Sequence, residues 1–229
     1  MASDCLVVIP AYNEADTIEE VVSRAAAFAD VCVVDDASTD DTGAIVDALE
    51  GVYCIHHEKN THIAGGILDG FRFARTHEYP FCITMDAGLS HEPDAIPAFL
   101  EKRDADLVVG VRRRLIDVPL YRKALSRAGT ALMNLALEKR YFPWGGARLQ
   151  DVTSGYRMYS RQAYSLLADA PMKSRSFDFH LEAIAYVFRA GLRIEEIPIA
   201  YHFSNSSLQP AIVKEALRTC ARLWVEDLA

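Results

Sequence analysis

Leu6-Val7-Val8-Ile9-Pro10-Ala11-Tyr12-Asn13-Glu14 decides the fold: an apolar run that stops abruptly at a polar turn. The pattern recurs at Val31-Cys32-Val33-Val34, which stops at Asp35-Asp36-Ala37-Ser38-Thr39-Asp40-Asp41-Thr42. Each run reads as a buried strand, and each is followed by a polar turn and then a helical period. In an open parallel sheet, ligands bind in the crevice outside the carboxyl ends of the strands. Both turns lie at such ends, so a site can be placed from the pattern alone.

Working outward, the same unit repeats. Strands are expected over 5–9, 31–34, 52–56, 81–85 and 106–110, with helices over about 16–28, 41–49, 63–76 and 94–103 between them. Asp16 and Asp41 are expected as helix caps or first-turn acids. Strands alternating with helices predict an α/β fold, a mostly parallel sheet with helices on both faces. Beyond residue 110 the pattern loosens. A helix is expected over 119–138, loop and short strand over 141–157, and helices over 161–167 and 177–190, the latter stopping at Gly191. Pro198 interrupts an apolar run at 194–199 and predicts an edge strand. The last helix starts near Pro210 and carries Ile212, Val213, Ala216, Leu217, Cys220, Leu223 and Trp224 on one face. That face is expected to pack on the domain, with a membrane surface or a partner as alternatives. The division is therefore residues 1–209 as one domain and 210–229 as an amphipathic helix. Within the domain, 1–110 is the regularly alternating half and 111–209 the looser one.

Composition narrows the class. The chain has 229 residues, 51% of them hydrophobic, enough for one large domain with a full core. A formal net charge of −8 argues against nonspecific nucleic-acid binding, which draws on a basic face. The cysteines (Cys5, Cys32, Cys54, Cys82, Cys220) are odd in number and none has CxxC spacing. They read as buried, reduced thiols, with neither a disulfide framework nor a zinc site expected. No signal peptide is visible, and no apolar run approaches the ~18 residues of a membrane span. A cytoplasmic protein is expected, able to rest on the inner face of a membrane.

Candidate chemistry gathers on the strand ends. Glu14 and Asp36 can accept hydrogen bonds from ribose hydroxyls or a base N–H, and Tyr12 can stack on a base. The alternative is turn-building, which Asp and Ser also favour. Asp86, in Thr84-Met85-Asp86-Ala87-Gly88-Leu89-Ser90-His91, leaves an apolar strand on the same edge. It is placed to meet a divalent cation on a diphosphate, since Mg²⁺ takes one or two carboxylates plus phosphate oxygens and waters. Arg112, Arg113, Arg114, Arg122, Lys123 and Arg127 form the dense basic stretch of an acidic chain. Asp178 and Glu182 share a helix face at i, i+4, where like charges repel, so a cation between them is one expectation.

These motifs resemble the family 2 glycosyltransferases, which have the A-type glycosyltransferase (nucleotide-diphospho-sugar transferase) fold. Asp151-Val152-Thr153-Ser154-Gly155-Tyr156-Arg157 and Ser176-Phe177-Asp178-Phe179-His180 look like the dolichyl-phosphate mannose synthase branch of polyprenyl-phosphate transferases. The resemblance covers about residues 5–208. It implies transfer of a sugar, mannose first, from a GDP- or UDP-linked donor to a polyprenyl monophosphate. It assigns the nucleoside to Pro10, Tyr12, Glu14, Asp36 and Ala87, and a Mg²⁺ or Mn²⁺ ion to Asp86. Asp86, Arg112 and Arg122 become the catalytic set, with Arg127, Ser154 and Arg157 lining the acceptor pocket. The chain departs from the family pattern at three places. Gly88 replaces the second acid of Asp-x-Asp, the basic loop after the last strand is absent from 201–208, and His62-Ile63-Ala64-Gly65-Gly66 replaces Gly-Lys-Gly. All three lower the charge around a diphosphate. Two alternatives stay open: a hydroxyl acceptor, with Asp151 or Asp178 as the base, and a non-catalytic homologue that binds nucleotide or a partner.

Overall fold

The computed structural model describes residues 3–116, 118–137, 149–202 and 210–226. The alternation is present as β1 (Cys5–Ala11), α1 (Ile18–Ala26), β2 (Asp30–Asp35), α2 (Thr42–Asp47), β3 (Val52–His56), α3 (His62–Thr76), β4 (Phe81–Thr84), α4 (Ile96–Leu100) and β5 (Leu107–Ile116). There follow α5 (Leu120–Leu137), β6 (Arg157–Ser160), α6 (Arg161–Asp169), α7 (Phe179–Arg189), β7 (Ile194–His202) and α8 (Pro210–Val225).

One seven-stranded sheet runs in the order β3-β2-β1-β4-β6-β5-β7. All pairs are parallel except those of β6, which is antiparallel to both β4 and β5. β7 is an edge strand, as Pro198 predicts, because a residue without an N–H cannot complete a ladder on both sides. The apolar runs are unbroken because both faces of the sheet are covered. Leu6 and Val8 pack beneath α3, whereas Val7 and Ile9 pack beneath α1. Helices α3 and α5–α8 share the first core, and α1, α2 and α4 share the second with the other face. Close approach of α3 to β1 depends on Gly70, where a Cβ would lie 2.2 Å from Val8 Cγ1.

Helix α8 packs on α5 and α7 with Cys220 and Leu223 buried, which is the domain-packing expectation for this segment. Its Arg222 supplies the cation anticipated beside Glu182, with Nη1 2.7 Å from the buried carboxylate. The two cap expectations divide, Asp41 standing where expected and Asp16 not. Asp41 holds the cap position of α2 without a side-chain bond, and Asp40 accepts the Thr42 N–H at 3.0 Å instead. Asp16 does not cap α1, where Thr17 stands at that position.

Candidate active site

The turns after β1, β2 and β3 form one bonded unit. Asp36 N–H donates to Ala11 O (2.8 Å), Glu14 N–H to Thr42 Oγ1 (2.8 Å) and Asn13 N–H to Ser38 Oγ (3.0 Å). Asn13 Oδ1 accepts from Thr39 N–H at 2.7 Å. Asp36 is buried, and its Oδ1 accepts from His57 Nδ1 (2.7 Å), Thr61 N–H (2.7 Å) and Thr61 Oγ1 (2.8 Å). Asp36 thereby fastens the β2 turn to the β3 turn. The turn-building role weighed from the sequence is what these bonds show for this carboxylate. His57 and Thr61 were not singled out by sequence. The signal that would have found them is their place just after the third apolar run, the same rule that found Asp36.

Tyr12 is 48% exposed at the rim of these turns, free to present its ring. Asn13 and Ala37 both adopt positive φ (55° and 62°). For an alanine this left-handed backbone costs roughly 1–2 kcal/mol, and such strain concentrates at functional turns. Glu14 faces the same space. Burial pushes its carboxyl pKa up, against a hydrogen bond from Thr17, and the negative charge of Asp86 adds to the rise. Thr17 Oγ1 also lies 3.1 Å from Ala87 O, so the turn after β1 is tied to the segment carrying Asp86.

Asp86 is 35% exposed and follows β4 as expected. His91 is buried, with Nδ1 3.4 Å from Asp86 Oδ2 and its ring between Tyr156 and Tyr201. Burial lowers the His91 pKa and keeps the imidazole neutral, although Asp86 opposes the shift. Nothing lies within 4 Å of where a Gly88 Cβ would stand, so no other described group fills the place of the missing acid.

On the far side, β5 brings Arg112 to the same edge. Its Nε donates to Asp151 Oδ2 at 2.6 Å and its Nη2 to Asp151 Oδ1 at 2.8 Å, a two-pronged pair that also reaches Thr153 and Ser126. Burial alone would lower the Arg112 pKa, but Asp151 outweighs it and the guanidinium is held charged. Asp151 in turn stays below the usual carboxylate range, because Arg112 overcomes its burial. Arg112 also lies over the ring of Tyr201, 5.3 Å from its centroid. Asp178, the second candidate base, is buried and accepts from Thr219 Oγ1 (2.9 Å) and Ser176 N–H (3.0 Å).

Arg157 does not line an open pocket. It is fully buried, and its guanidinium donates to the carbonyls of Ser154 (2.7 Å), His180 (2.8 Å) and Val152 (2.6 Å). The expectation that it contacts the acceptor is replaced by a positioning role beneath the loop. Ser154 is also buried, and its Oγ has no partner. Both ring nitrogens of buried His180 are unpartnered, and burial holds its pKa well below the ordinary value, with Arg157 adding to the fall. A Cβ on Gly155 would lie 2.9 Å from His180 Nε2 and 3.3 Å from Asp86 Oδ1. Glycine alone leaves that gap open. Arg127 is exposed on α5. Arg122 belongs to the same helix, and its side chain lies outside the described residues, as do residues 203–208 of the segment where the basic loop was sought.

A line of bonded turns at the strand ends, one partly open carboxylate after β4 and a paired arginine on β5 now stand together. Residues 6–167 match the family described as Glycosyl transferase family 2. The chain belongs to this family. It is 32% identical over 95% of its length to an undecaprenyl-phosphate mannosyltransferase of Micrococcus luteus, covering 92% of that protein. It is 28% identical over 92% of its length to a polyprenol monophosphomannose synthase of Mycolicibacterium smegmatis, covering 85% of it. Its fold is similar to that of glucosyl-3-phosphoglycerate synthase from Mycobacterium tuberculosis, solved with Mn²⁺, UDP-glucose and phosphoglyceric acid. That likeness has a TM-score of 0.74 at 17% identity and spans 98% of this chain and 81% of the other. The A-type glycosyltransferase fold expected from the sequence is the fold observed, and the chain is a glycosyltransferase.

Proposed function

We propose that this family 2 glycosyltransferase moves a sugar, mannose foremost, from a nucleoside diphosphosugar to a polyprenyl monophosphate. The observation that carries the reading is the occupation of both candidate bases. Asp151 is bound to Arg112, and Asp178 is bound to Thr219 and Ser176. A hydroxyl acceptor needs a positioned base to take its proton. A phosphate monoester is already ionised at neutral pH and needs none. The names of the Micrococcus and Mycolicibacterium relatives point to the same acceptor class.

The chemistry is a single displacement. A phosphate oxygen of the acceptor donates its electron pair to the anomeric carbon. The bond from that carbon to the donor's diphosphate breaks, and its pair leaves with the diphosphate. The configuration inverts and no proton is transferred. Catalysis then rests on alignment and on neutralising two anions held close together. Pro10, Tyr12, Glu14, Asp36 and Ala87 hold the nucleoside along the joined turns. Arg112 is kept in one orientation by Asp151 and faces the phosphates as a fixed positive charge. Arg122 and Arg127 receive the acceptor phosphate, while Arg157 braces the loop from below. Asp86 suits a divalent ion, Mg²⁺ or Mn²⁺: its carboxylate is partly open, and the space at Gly88 leaves room for phosphate oxygens and waters. When bound, such an ion supplies positive charge to the leaving diphosphate.

Among the described residues no helix is long and apolar enough to cross a membrane. The neighbouring helices α5 and α8 carry exposed Leu120, Tyr121, Leu132, Leu135, Leu217 and Trp224, an apolar approach for a prenyl chain at a membrane surface. The test is transfer of labelled sugar from GDP-mannose, and from UDP-sugars, into vesicles with and without polyprenyl phosphate. Label in an organic-extractable product only when the lipid phosphate is present supports the reading. Transfer to a soluble hydroxyl acceptor instead, or to none, sinks it.

A further inference from the structure

At the free edge of the sheet, beside the end of β3, Asp47, Cys54 and His56 gather. Asp47 is the last residue of α2, and Cys54 and His56 are two apart on edge strand β3, hence on the same face. One oxygen of Asp47, the sulfur of Cys54 and one nitrogen of His56 all lie within 4.8 Å of one another. His56 Nε2 is 3.0 Å from Asp47 Oδ1. Four-coordinate zinc, with bonds of about 2.0–2.3 Å, places its ligand atoms roughly 3.3–3.8 Å apart. The cluster needs only a small adjustment to reach that spacing.

A second observation bears on the same ring. His56 Nδ1 lies 3.3 Å from Asp35 Oδ2. A histidine that binds a metal through one nitrogen usually donates the other N–H to a carboxylate, which fixes the tautomer and strengthens the ligand. Asp35 occupies that outer position. Gly43, one turn back along α2, permits it: a Cβ there would lie 2.7 Å from Asp35 Oδ2 and 3.1 Å from His56 Cε1. The helix can close over the imidazole only because that side chain is missing.

The geometry points to a binding site for a single zinc-class divalent ion, held by Asp47, Cys54 and His56 with Asp35 behind the imidazole. The fourth position opens to solvent, since Asp47 and His56 are exposed. Such an ion would join α2 to the edge strand. The surroundings suit a dication: the carboxylates of Asp47 and Asp35 both lie against the imidazole, and the Cys54 thiol is half-buried beside them. A bound cation takes the thiolate as a ligand. The donor set contains sulfur and imidazole and so favours zinc, cobalt or copper over Mg²⁺. It is separate from Asp86 and does not depend on the proposed reaction.

The experiment is titration of the reduced full-length protein, stripped of metal, with Co²⁺ alone. A thiolate-to-cobalt charge-transfer band, saturating at one ion per chain and displaced by Zn²⁺, is expected. Cys54→Ser should abolish the band. Asp47→Asn, a change at an exposed position, should weaken cobalt binding at least tenfold with the fold intact. Asp86→Ala should leave the band in place. Absence of the band in the unaltered protein would mean that His56 is simply an imidazolium between two carboxylates, and the inference falls. It falls equally if the band survives Cys54→Ser, if Asp47→Asn binds cobalt as well as the parent, or if the band vanishes with Asp86→Ala.

Discussion

The two halves of the sheet build their parts of the site in different ways. In the half formed by β1–β4, each site residue directly follows its own strand, and short hydrogen bonds between neighbouring turns hold the set together. In the half formed by β5–β7, residues far apart in the chain meet: Arg112 with Asp151, Arg157 with the carbonyl of His180, and Glu182 with Arg222. The first half is local, partly open and strained at Ala37. The second is buried and ionic, and each charge is held by several groups, at least one of them distant in the chain. Damage should therefore act on ligand binding in the first half and on folding in the second.

The largest effect is expected at the Arg112–Asp151 pair. Arg112→Ala leaves a buried carboxylate without its cation, and such a loss costs about 3–5 kcal/mol. Denaturant unfolding should show it, and if stability is unchanged the two-halves contrast breaks. Asp86→Ala is the counterpart in the first half. It should lower kcat/KM for transfer by roughly 10²–10³-fold, the scale for losing a key charge-stabilising group. Its unfolding midpoint should stay near that of the parent.

Next comes pH. His91 and His180 are both held neutral by burial, so their folded-state pKa values lie below the unfolded value of 6.5. The stability tied to them is complete above that unfolded value and is lost as pH falls below it, by about 1.4 kcal/mol per pH unit for each group. His56 runs the other way. A hydrogen bond to Asp47 raises its pKa, so its contribution is present at low pH and lost as pH rises through the folded value. Below pH 6.5 the His56 contribution is already complete, so stability should fall between pH 6.5 and 5.5. His180→Gln should flatten that slope, read from urea midpoints across the range.

Smaller effects sharpen the contrast. Gly88 has open space where a side chain would stand, so Gly88→Asp should be tolerated. A second carboxylate beside Asp86 should tighten Mn²⁺ binding about tenfold, near 1.4 kcal/mol, by calorimetry. The smallest change is Ala37→Gly. It relieves the positive φ but loosens the unfolded chain, and the two nearly cancel, leaving stability within ~1 kcal/mol of the parent.

The same contrast explains what was legible beforehand. Asp36 and Asp86 were readable because an apolar run announces its own end, and topology assigns that end to the crevice. Arg157 was misread as an acceptor contact. A motif records that an arginine is needed and not which way its guanidinium points. The pairing of Asp178 with Thr219 and of Glu182 with Arg222 needed the path of α8, which periodicity places on the domain without naming its neighbours. Cysteine spacing gave no hint of the group around Cys54, because Asp47 joins Cys54 and His56 only when α2 folds back on β3.

By itself, then, the sequence determined the alternating elements, the buried parallel sheet, the edge position of the Pro198 strand and the line of polar turns that carries the site. Those follow from local periodicity, which acts over a few residues. Only the tertiary structure decided which carboxylates are already bound, which arginine is exposed and which braces the core, and where imidazoles are left without partners. Those depend on burial and on charges brought together across the chain, and no short window of sequence contains both members of such a pair.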